Sequence, residues 1–528
     1  MGLIPPLMRA AERLKFVDVT DDRKIHVGVV PRVGGIAMVA GTVLPMLMWL
    51  QLTRQVTAFL IGVAIIAVFG AWDDRKNLDY RIKFFGQFLA VAFVVWYGDV
   101  LIRFVPFGDQ AELHIYASVI LTGFVLLGIT NAVNLADGLD GLAGGIMLLS
   151  FGAIALLAYV AHNLDVLLIA IAISGGILGF LRFNTYPARI FMGDTGSQFL
   201  GFSVGILAIA LTQEPHAQFS PSLPLLLLGL PILDTAMVMG QRIAQGRSPF
   251  SPDKNHIHHK LLAIGFDHYE AVFLIYVVQA GLVIAAYLLQ AKPDGIILAF
   301  YGLFCVSVLA MFRIVGSAGW HPHANREKTP SWVSDKARAL AQGGLLARTA
   351  YVTAGTGVAG YLLISVAVVE RVSTDVFFLA ISLLVISLLA YLAYRGKALS
   401  LLERATLYVL CTLVVYLTRM DPQGLPNFGH LQNVFFVILA VTIIIGLRFS
   451  KDKEFEITPL DFLIIFLAFT IPYLPDPRFQ ELRLGEAIAR LVVLFYAVES
   501  VLANTRRHDG IRFVMWLVLG GLSLKVLL

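Results

Sequence analysis

Five carboxylates in this sequence stand at the ends of long apolar runs, where chemistry is a stronger reason to keep them than solubility. Asp73 and Asp74 are adjacent in "GAWDDRKNLDYRIKFFGQ". Asp137 and Asp140 lie three residues apart in "NAVNLADGLDGLAGG", a spacing that puts both on one face of a helix. Asp194 sits in "RFNTYPARIFMGDTGSQFLGF", just ahead of another apolar run. Each group has a plainer reading when taken alone. Paired acids suit a helix end, Asp194 or Ser197 suits a helix cap, and Gly138, Gly141, Gly144 and Gly145 suit close helix packing. Packing explains the glycines but not the acids, and carboxylates at membrane depth are costly enough to mark function.

Other polar groups gather on the same approaches. Lys83 and Gln87 follow the first acid pair, Asn131 and Asn134 precede the second, and Asn184 and Arg189 precede Asp194. A fourth segment, "RSPFSPDKNHIHHKLLAIGF", carries His256, His258 and His259 between Lys254 and Lys260. It reads either as a basic surface loop or as a transition-metal site, since imidazole suits zinc, copper or nickel. Hard carboxylate oxygens suit Mg²⁺, which binds through one or two carboxylates, water and substrate phosphates. Phosphoryl transfer is mostly positioning and charge neutralisation, so acids, a divalent cation and basic side chains together point to that chemistry. There is no Walker A sequence and no Rossmann G-x-G-x-x-G fingerprint is expected, so neither ATP-driven transport nor dinucleotide chemistry is supported.

The elements that must position these residues are membrane helices. Of 528 residues, 58% are hydrophobic and 14% charged, against about 25% charged in a soluble domain. Mean hydropathy is +0.80. Apolar runs of about 18 to 20 residues recur along the whole chain, which predicts an all-α polytopic membrane protein. Spans are expected near 34–52, 56–71, 84–98, 115–132, 142–161, 165–182, 197–213, 222–240, 270–289 and 294–312, a ten-span core. A polar stretch at 313–348 reads as a cytoplasmic linker. About seven more spans follow in 349–528, near 349–369, 375–394, 404–418, 432–447, 459–474, 485–503 and 511–528. Cys305 and Cys411 fall inside apolar runs and read as packing residues. "MGLIPPLMRAAERLKF" lacks the apolar core of a signal peptide.

With the N-terminus inside, Lys and Arg concentrate in the inside loops, including Arg75, Lys76, Lys83, Arg242, Lys254, Arg326, Lys336, Arg395, Lys451 and Arg506. Few, such as Arg54, Arg103 and Arg371, fall outside. The positive-inside rule supports this register along the chain. All four polar segments then face the cytoplasm.

At these residues the chain closely resembles the polyprenyl-phosphate N-acetylhexosamine-1-phosphate transferases. The matching pieces are "PRVGG" (31–35), "WDDRKNL" (72–78), "NAVNLADGLDGLAGG" (131–145), "NTYPARIFMGDTGS" (184–197) and "SPFSPDKNHIHHK" (248–260), in family order over roughly residues 1–312. The "HIHH" form looks like the GlcNAc-type branch rather than the muramoyl-pentapeptide branch. The resemblance implies transfer of HexNAc-1-phosphate, GlcNAc first, from a UDP-HexNAc to undecaprenyl phosphate. The products would be a lipid-linked diphosphate sugar, which starts a cell-envelope glycan such as O-antigen, and UMP. It implies Mg²⁺, with Mn²⁺ as a substitute, a bacterial inner membrane and a cytoplasmic active site. It allows a homodimer and calls for no nucleic acid. Asp194 would be the principal metal ligand, with Asp73 and Asp74 beside it and Asp73 able to take a proton from the lipid phosphate. Asn134, Asp137, Asp140, Asn184 and Phe191 would line the donor pocket. Lys83, His256, His258 and His259 would meet phosphates or sugar. Family members usually carry an apolar span ahead of "PRVGG", so either that first helix is absent or the start of the chain is placed late. Residues 349–528 lie beyond the family core and read as a structural or partner-binding bundle, or less directly as a lipid-handling module. The rival class is a transporter or flippase for a lipid-linked glycan, which would bring its ionisable groups to mid-membrane.

Overall fold

The computed structural model describes residues 3–18, 30–107, 112–213, 218–248, 255–318, 345–369, 372–393, 397–420, 428–448, 484–504 and 509–525. Lys254, the linker between 319 and 344 and the span expected near 459–474 lie outside the described residues. The protein is an all-α polytopic membrane protein, and nine of its described helices are long and apolar enough to cross a bilayer. The described residues fall into two compact units, those up to 318 and those from 345 onward.

In the first unit α1 (Ile4–Leu14) is a short helix with Ile4 and Ala11 buried and Arg9 and Arg13 exposed. At eleven residues it is too short to span a bilayer. β1 (Val17–Asp18) pairs antiparallel with β2 (Val30–Pro31). Then come α2 (Gly34–Trp49), α3 (Arg54–Lys76), α4 (Tyr80–Trp96), α5 (Ile115–Ala136), α6 (Leu142–Val160), α7 (Leu164–Asn184) and α8 (Gly193–Thr212). After them lie α9 (Pro224–Leu227), α10 (Gly229–Ala244), α11 (Ile257–Ile264), α12 (His268–Leu289) and α13 (Asp294–Ala318).

Local rules account for many helix ends. Thr53 Oγ1 accepts from Val56 N at 3.3 Å, Asp79 Oδ1 from Arg81 N at 2.9 Å and Asn163 Oδ1 from Val166 N at 3.1 Å. Asp267 and Glu270 form a capping box. The run expected as one span at 222–240 is instead two helices, α9 and α10. Pro231 offers no N–H to the carbonyl of Leu227 and crowds it, which breaks the ladder there. That carbonyl accepts from Ser150 Oγ at 2.8 Å and Gln279 Nε2 at 2.9 Å, so it is not orphaned at membrane depth.

α8 is the central post. Its most apolar stretch is 94% buried, against 6% for α13 at the edge. It packs on α3, α5, α2 and α6. Small residues let these backbones close up. A Cβ on Gly35 would strike the backbone of Met192 and Gly196, and one on Gly70 the backbone of Asp194 and Thr195. The "PRVGG" segment grips the approach to α8 through backbone bonds: Phe191 N to Pro31 O at 2.8 Å, Gly34 N to Phe191 O and Gly35 N to Met192 O, both 3.0 Å.

The second unit contains α14 (Leu345–Val368), α15 (Thr374–Ala393), α16 (Lys397–Met420), α17 (Phe428–Arg448), α18 (Leu484–Asn504) and α19 (Asp509–Leu524). Its core is aliphatic, with Val358, Leu362, Leu410, Cys411, Leu494, Val498 and Leu519 buried together. A G-x-G-x-x-G spacing does occur here, at Gly355, Gly357 and Gly360, contrary to the expectation that no dinucleotide fingerprint is present. It lies inside α14, with ten helical residues leading into it, so it offers no phosphate-binding turn.

Candidate active site

The acids meet where α3 and α5 end and α8 begins. α3 delivers Asp73 and Asp74 in its last turn, both 4% exposed. α4 starts three residues after Asn77, which takes a left-handed turn, and so brings Lys83 back over the acids. Gly193, at φ +64, turns the chain into α8, and Asp194 follows in its first turn. A Cβ on Gly193 would strike the Asp74 carboxylate, so glycine is required there for both backbone and space.

Lys83 Nζ lies 2.6 Å from Asp73 Oδ2 and 2.9 Å from Asp194 Oδ2. Asn134 Nδ2 reaches Asp194 Oδ1 at 3.3 Å and Ser197 Oγ at 2.9 Å, and Gln198 Nε2 reaches Asp194 Oδ2 at 3.3 Å. Asp73 Oδ1 accepts from Leu78 N at 2.6 Å. Asp74 is spent differently. Its Oδ1 accepts from Asp194 N at 2.8 Å, and its Oδ2 from Thr195 N at 3.0 Å and Thr195 Oγ1 at 2.6 Å. It therefore caps the positive end of α8 and fixes the backbone that carries Asp194. Behind them, Asn131 Nδ2 donates to Gln87 Oε1 at 2.8 Å and Gln87 Nε2 to Gln198 Oε1 at 3.1 Å, a buried amide relay.

Asp137 ends α5 beside this cluster. Burial pushes its carboxyl up to about 7, helped by the negative charges of Asp194, Asp140 and Asp74 and opposed by Arg32. Asp140, buried in the turn before α6, is committed to the scaffold: its Oδ2 accepts from Ala188 N at 2.9 Å. Asn184 does similar work, accepting from Gly141 N at 2.9 Å and donating to Ile190 O at 2.8 Å. These two, placed in the donor pocket by the resemblance, hold the α5–α6 turn against the segment before α8. The Phe191 backbone is held by Pro31 and Gly34, and its side chain is half-buried. Arg189 is exposed.

The histidines form the neighbouring wall. His256 Nδ1 lies 2.8 Å from Asp234 Oδ2, and Asp234 Oδ1 accepts from Ile257 N at 2.7 Å. The rings of His256 and His258 stack at 5.7 Å, and His259 lies 4.3 Å from His258. A Cβ on Gly138 would strike the His258 ring, so this glycine lets the histidine segment close on the Asp137–Asp140 turn. Burial, then the neighbouring His259, drives His258 down to about 3, so it stays neutral at working pH. Its Nε2 is buried with no hydrogen-bond partner among the described residues. Asp234 was not singled out from sequence, although a lone acid in "LGLPILDTAMVMG" carries the same signal as the other five. Gln198 and Thr195 gave no such signal.

Among the described residues no three histidine, cysteine or acidic side chains form a ready metal cage. The oxygens of Asp73 and Asp194 nevertheless converge on one cationic nitrogen, and the Asp137 carboxylate has no hydrogen-bond partner among the described residues. This donor set fits Mg²⁺, which asks for one or two carboxylates and takes its remaining ligands from water and phosphate. Asp74, with both oxygens bonded to the start of α8, is not turned toward that gap.

Comparison with known proteins agrees with this geometry. The glycosyl transferase family 4 model matches residues 56–212, the span from α3 to α8 that carries Asp73, Asp74, Asn134, Asp137, Asp140, Asn184 and Asp194. A Bacillus subtilis (strain 168) protein named "Probable undecaprenyl-phosphate N-acetylglucosaminyl 1-phosphate transferase" is 36% identical over 314 residues, 59% of this chain and 86% of that protein. The decaprenyl-phosphate N-acetylglucosaminephosphotransferase of Mycobacterium leprae is 35% identical, over 50% of this chain and 75% of its own. The undecaprenyl-phosphate alpha-N-acetylglucosaminyl 1-phosphate transferase of Yersinia pestis is 30% identical, over 56% and 83%. With its acids at the meeting point of α3, α5 and α8 and relatives matched over most of their length, this chain belongs to glycosyl transferase family 4.

Proposed function

We propose that the protein transfers GlcNAc-1-phosphate from UDP-GlcNAc to undecaprenyl phosphate at the cytoplasmic face of a bacterial inner membrane, with Mg²⁺ as cofactor. The observation that carries the reading is the convergence of Asp73 and Asp194 on Lys83 Nζ within the matched span. The names of the relatives supply the sugar and the lipid. A phosphate oxygen of the lipid forms a new bond to the sugar-bearing phosphorus of the donor. The bond from that phosphorus to the UMP oxygen breaks, and UMP leaves with the electron pair. Both reactants are anions, so charge neutralisation matters more than a strong base.

Bound Mg²⁺ would be held by Asp194 and Asp73 and would neutralise the phosphates. Lys83 supplies fixed positive charge to the same place. Asp74 keeps Asp194 aimed through the α8 backbone, and Asn134 steadies it from α5. Asp234 orients His256, which faces the donor with neutral His258 and with His259. Asp137 is free to accept from donor hydroxyl or amide groups. A transporter is poorly served by this layout, because the acids lie in the last turn of α3 and the first of α8, not at mid-helix. The positive-inside pattern supports the cytoplasmic orientation.

The test is transfer of label from UDP-[¹⁴C]GlcNAc to undecaprenyl phosphate by purified protein, with Mg²⁺ or with EDTA. Lipid-bound label that needs Mg²⁺ and disappears in Asp194→Asn is the expected result. Label from another UDP-HexNAc alone would change the donor. No label from any donor with folded protein would remove the reading.

A further inference from the structure

A second cavity, of about 450 Å³, opens at the opposite end of the same helices. It is lined at the start of α3 and α7, the end of α8 and the segment after α4. Gln55 lies 18 residues before Asp73 on α3, about 27 Å along the axis at 1.5 Å per residue. The two sites therefore lie close to opposite faces of the membrane.

The lining has two characters. Phe59, Val166, Ile169, Leu207 and Ala210 make an apolar wall, and Asp99, Arg103, Asp165 and Gln213 make a polar one. Asp99, at φ +56, is held by Arg103 at 2.6 Å. Asp165 is half-buried and has no partner among the described residues, which leaves one uncompensated negative charge. Gln213 is 6% exposed, and its Oε1 accepts from Arg103 N and Phe104 N, both 2.9 Å. Its amide nitrogen has no partner among the described residues and is left to donate into the cavity that the side chain lines. Nothing in the proposed transfer uses these groups.

The depth of the cavity is marked by aromatic side chains. Trp49 closes α2, Trp96 closes α4 and Tyr116 opens α5, all at this end, with exposures of 70%, 79% and 73%. Exposed Trp and Tyr sit at the headgroup level of a bilayer. We propose that this cavity binds the headgroup of a phospholipid bearing a primary amine, from the leaflet away from the catalytic acids. The ammonium meets Asp165, phosphate oxygens meet the Gln213 amide and the Arg103 guanidinium, and an acyl chain lies along Phe59 and Ile169. A diphosphate lipid or phosphatidylglycerol offers no cation to Asp165 and places its own negative charge beside Asp99.

The test uses the full chain, purified, delipidated in detergent and offered equal phosphatidylethanolamine and phosphatidylglycerol, with retained lipid read by native mass spectrometry. Phosphatidylethanolamine should be retained roughly threefold to fivefold over phosphatidylglycerol, the scale of one half-buried ion pair. Asp165→Lys, in the first turn of α7, should reverse the preference, Asp165→Asn should abolish it, and Ala210→Phe should lower retention of both lipids. Equal retention by the wild type, or an unchanged preference in Asp165→Lys, would overturn the proposal.

Discussion

The two units treat buried charge in opposite ways. In the C-terminal unit Glu403 of α16 and Glu499 of α18 each have their own cation. Arg404 pairs with Glu499, which also accepts from Tyr408 Oη at 2.7 Å, and Arg512 pairs with Glu403 while reaching Asp509 at 2.9 Å. Arg490 is spread over Gln432 at 2.7 Å and Asn433 at 2.8 Å. In the N-terminal unit Asp73 and Asp194 share Lys83, and Asp137 stands beside them with no ion pair among the described residues, only the more distant field of Arg32. A one-to-one pairing holds helices together and asks for nothing more. Acids crowded around one lysine carry unspent negative charge, which a substrate-bound divalent cation relieves. The acids of the C-terminal unit look scattered in sequence because each is matched by a residue from another helix. Glu370 and Asp461 of the same region lie outside the described residues.

That contrast can be broken experimentally, and the steepest loss is expected at Asp194. Asp194→Asn should reduce label transfer by about 10³-fold or more, since several kcal/mol of charge stabilisation disappear at about 1.4 kcal/mol per decade. Activity within tenfold of wild type would mean that the acids are structural after all. Lys83→Met comes next, at roughly 10²-fold, the usual cost of one fixed charge-stabilising group. Asp234→Asn leaves the acids alone and loosens His256, so roughly a tenfold loss, largely in donor KM, is expected with the fold intact. Glu499→Gln belongs to the other unit. It should lower thermal stability by about 1–2 kcal/mol, discounted for the partly exposed Arg404, and leave turnover per folded molecule unchanged. A loss of turnover there would erase the distinction between the units.

The smallest effects come from pH. His258, lowered to about 3, stays neutral in the fold while the unfolded chain gains a proton below about 6.5, so its contribution to stability is lost as pH falls through that range. Asp137, raised to about 7, works in reverse: the folded state holds the proton more tightly between 7 and 3.8, so its contribution grows as pH falls. His258→Gln should therefore make unfolding less acid-sensitive, and Asp137→Asn more so. Melting followed by tryptophan fluorescence from pH 7.5 to 5 separates the two signs.

Much of the site was legible because membrane depth makes polar residues expensive, so each one left in an apolar run is informative. The same logic reaches Asp234, which differs only in standing alone. Roles were harder to read. Asp73 and Asp74 are neighbours of the same type, yet one faces Lys83 and the other caps α8. Asp140 and Asn184 bind backbone across the site rather than open space. The break at Pro231 was marked by the proline, but its tolerance depended on Ser150 and Gln279 from two other helices.

Composition, hydropathy and charge bias by themselves determined an all-α polytopic membrane chain and the gathering of acids at span ends, because those properties follow from transfer of side chains between water and lipid. Only the tertiary structure decided which acids share a cation, which serve as scaffold and where the second cavity lies. Those outcomes depend on angstrom-scale approach between helices distant in sequence, set by glycines such as Gly35, Gly70 and Gly193 that yield their space to a neighbour's backbone or carboxylate.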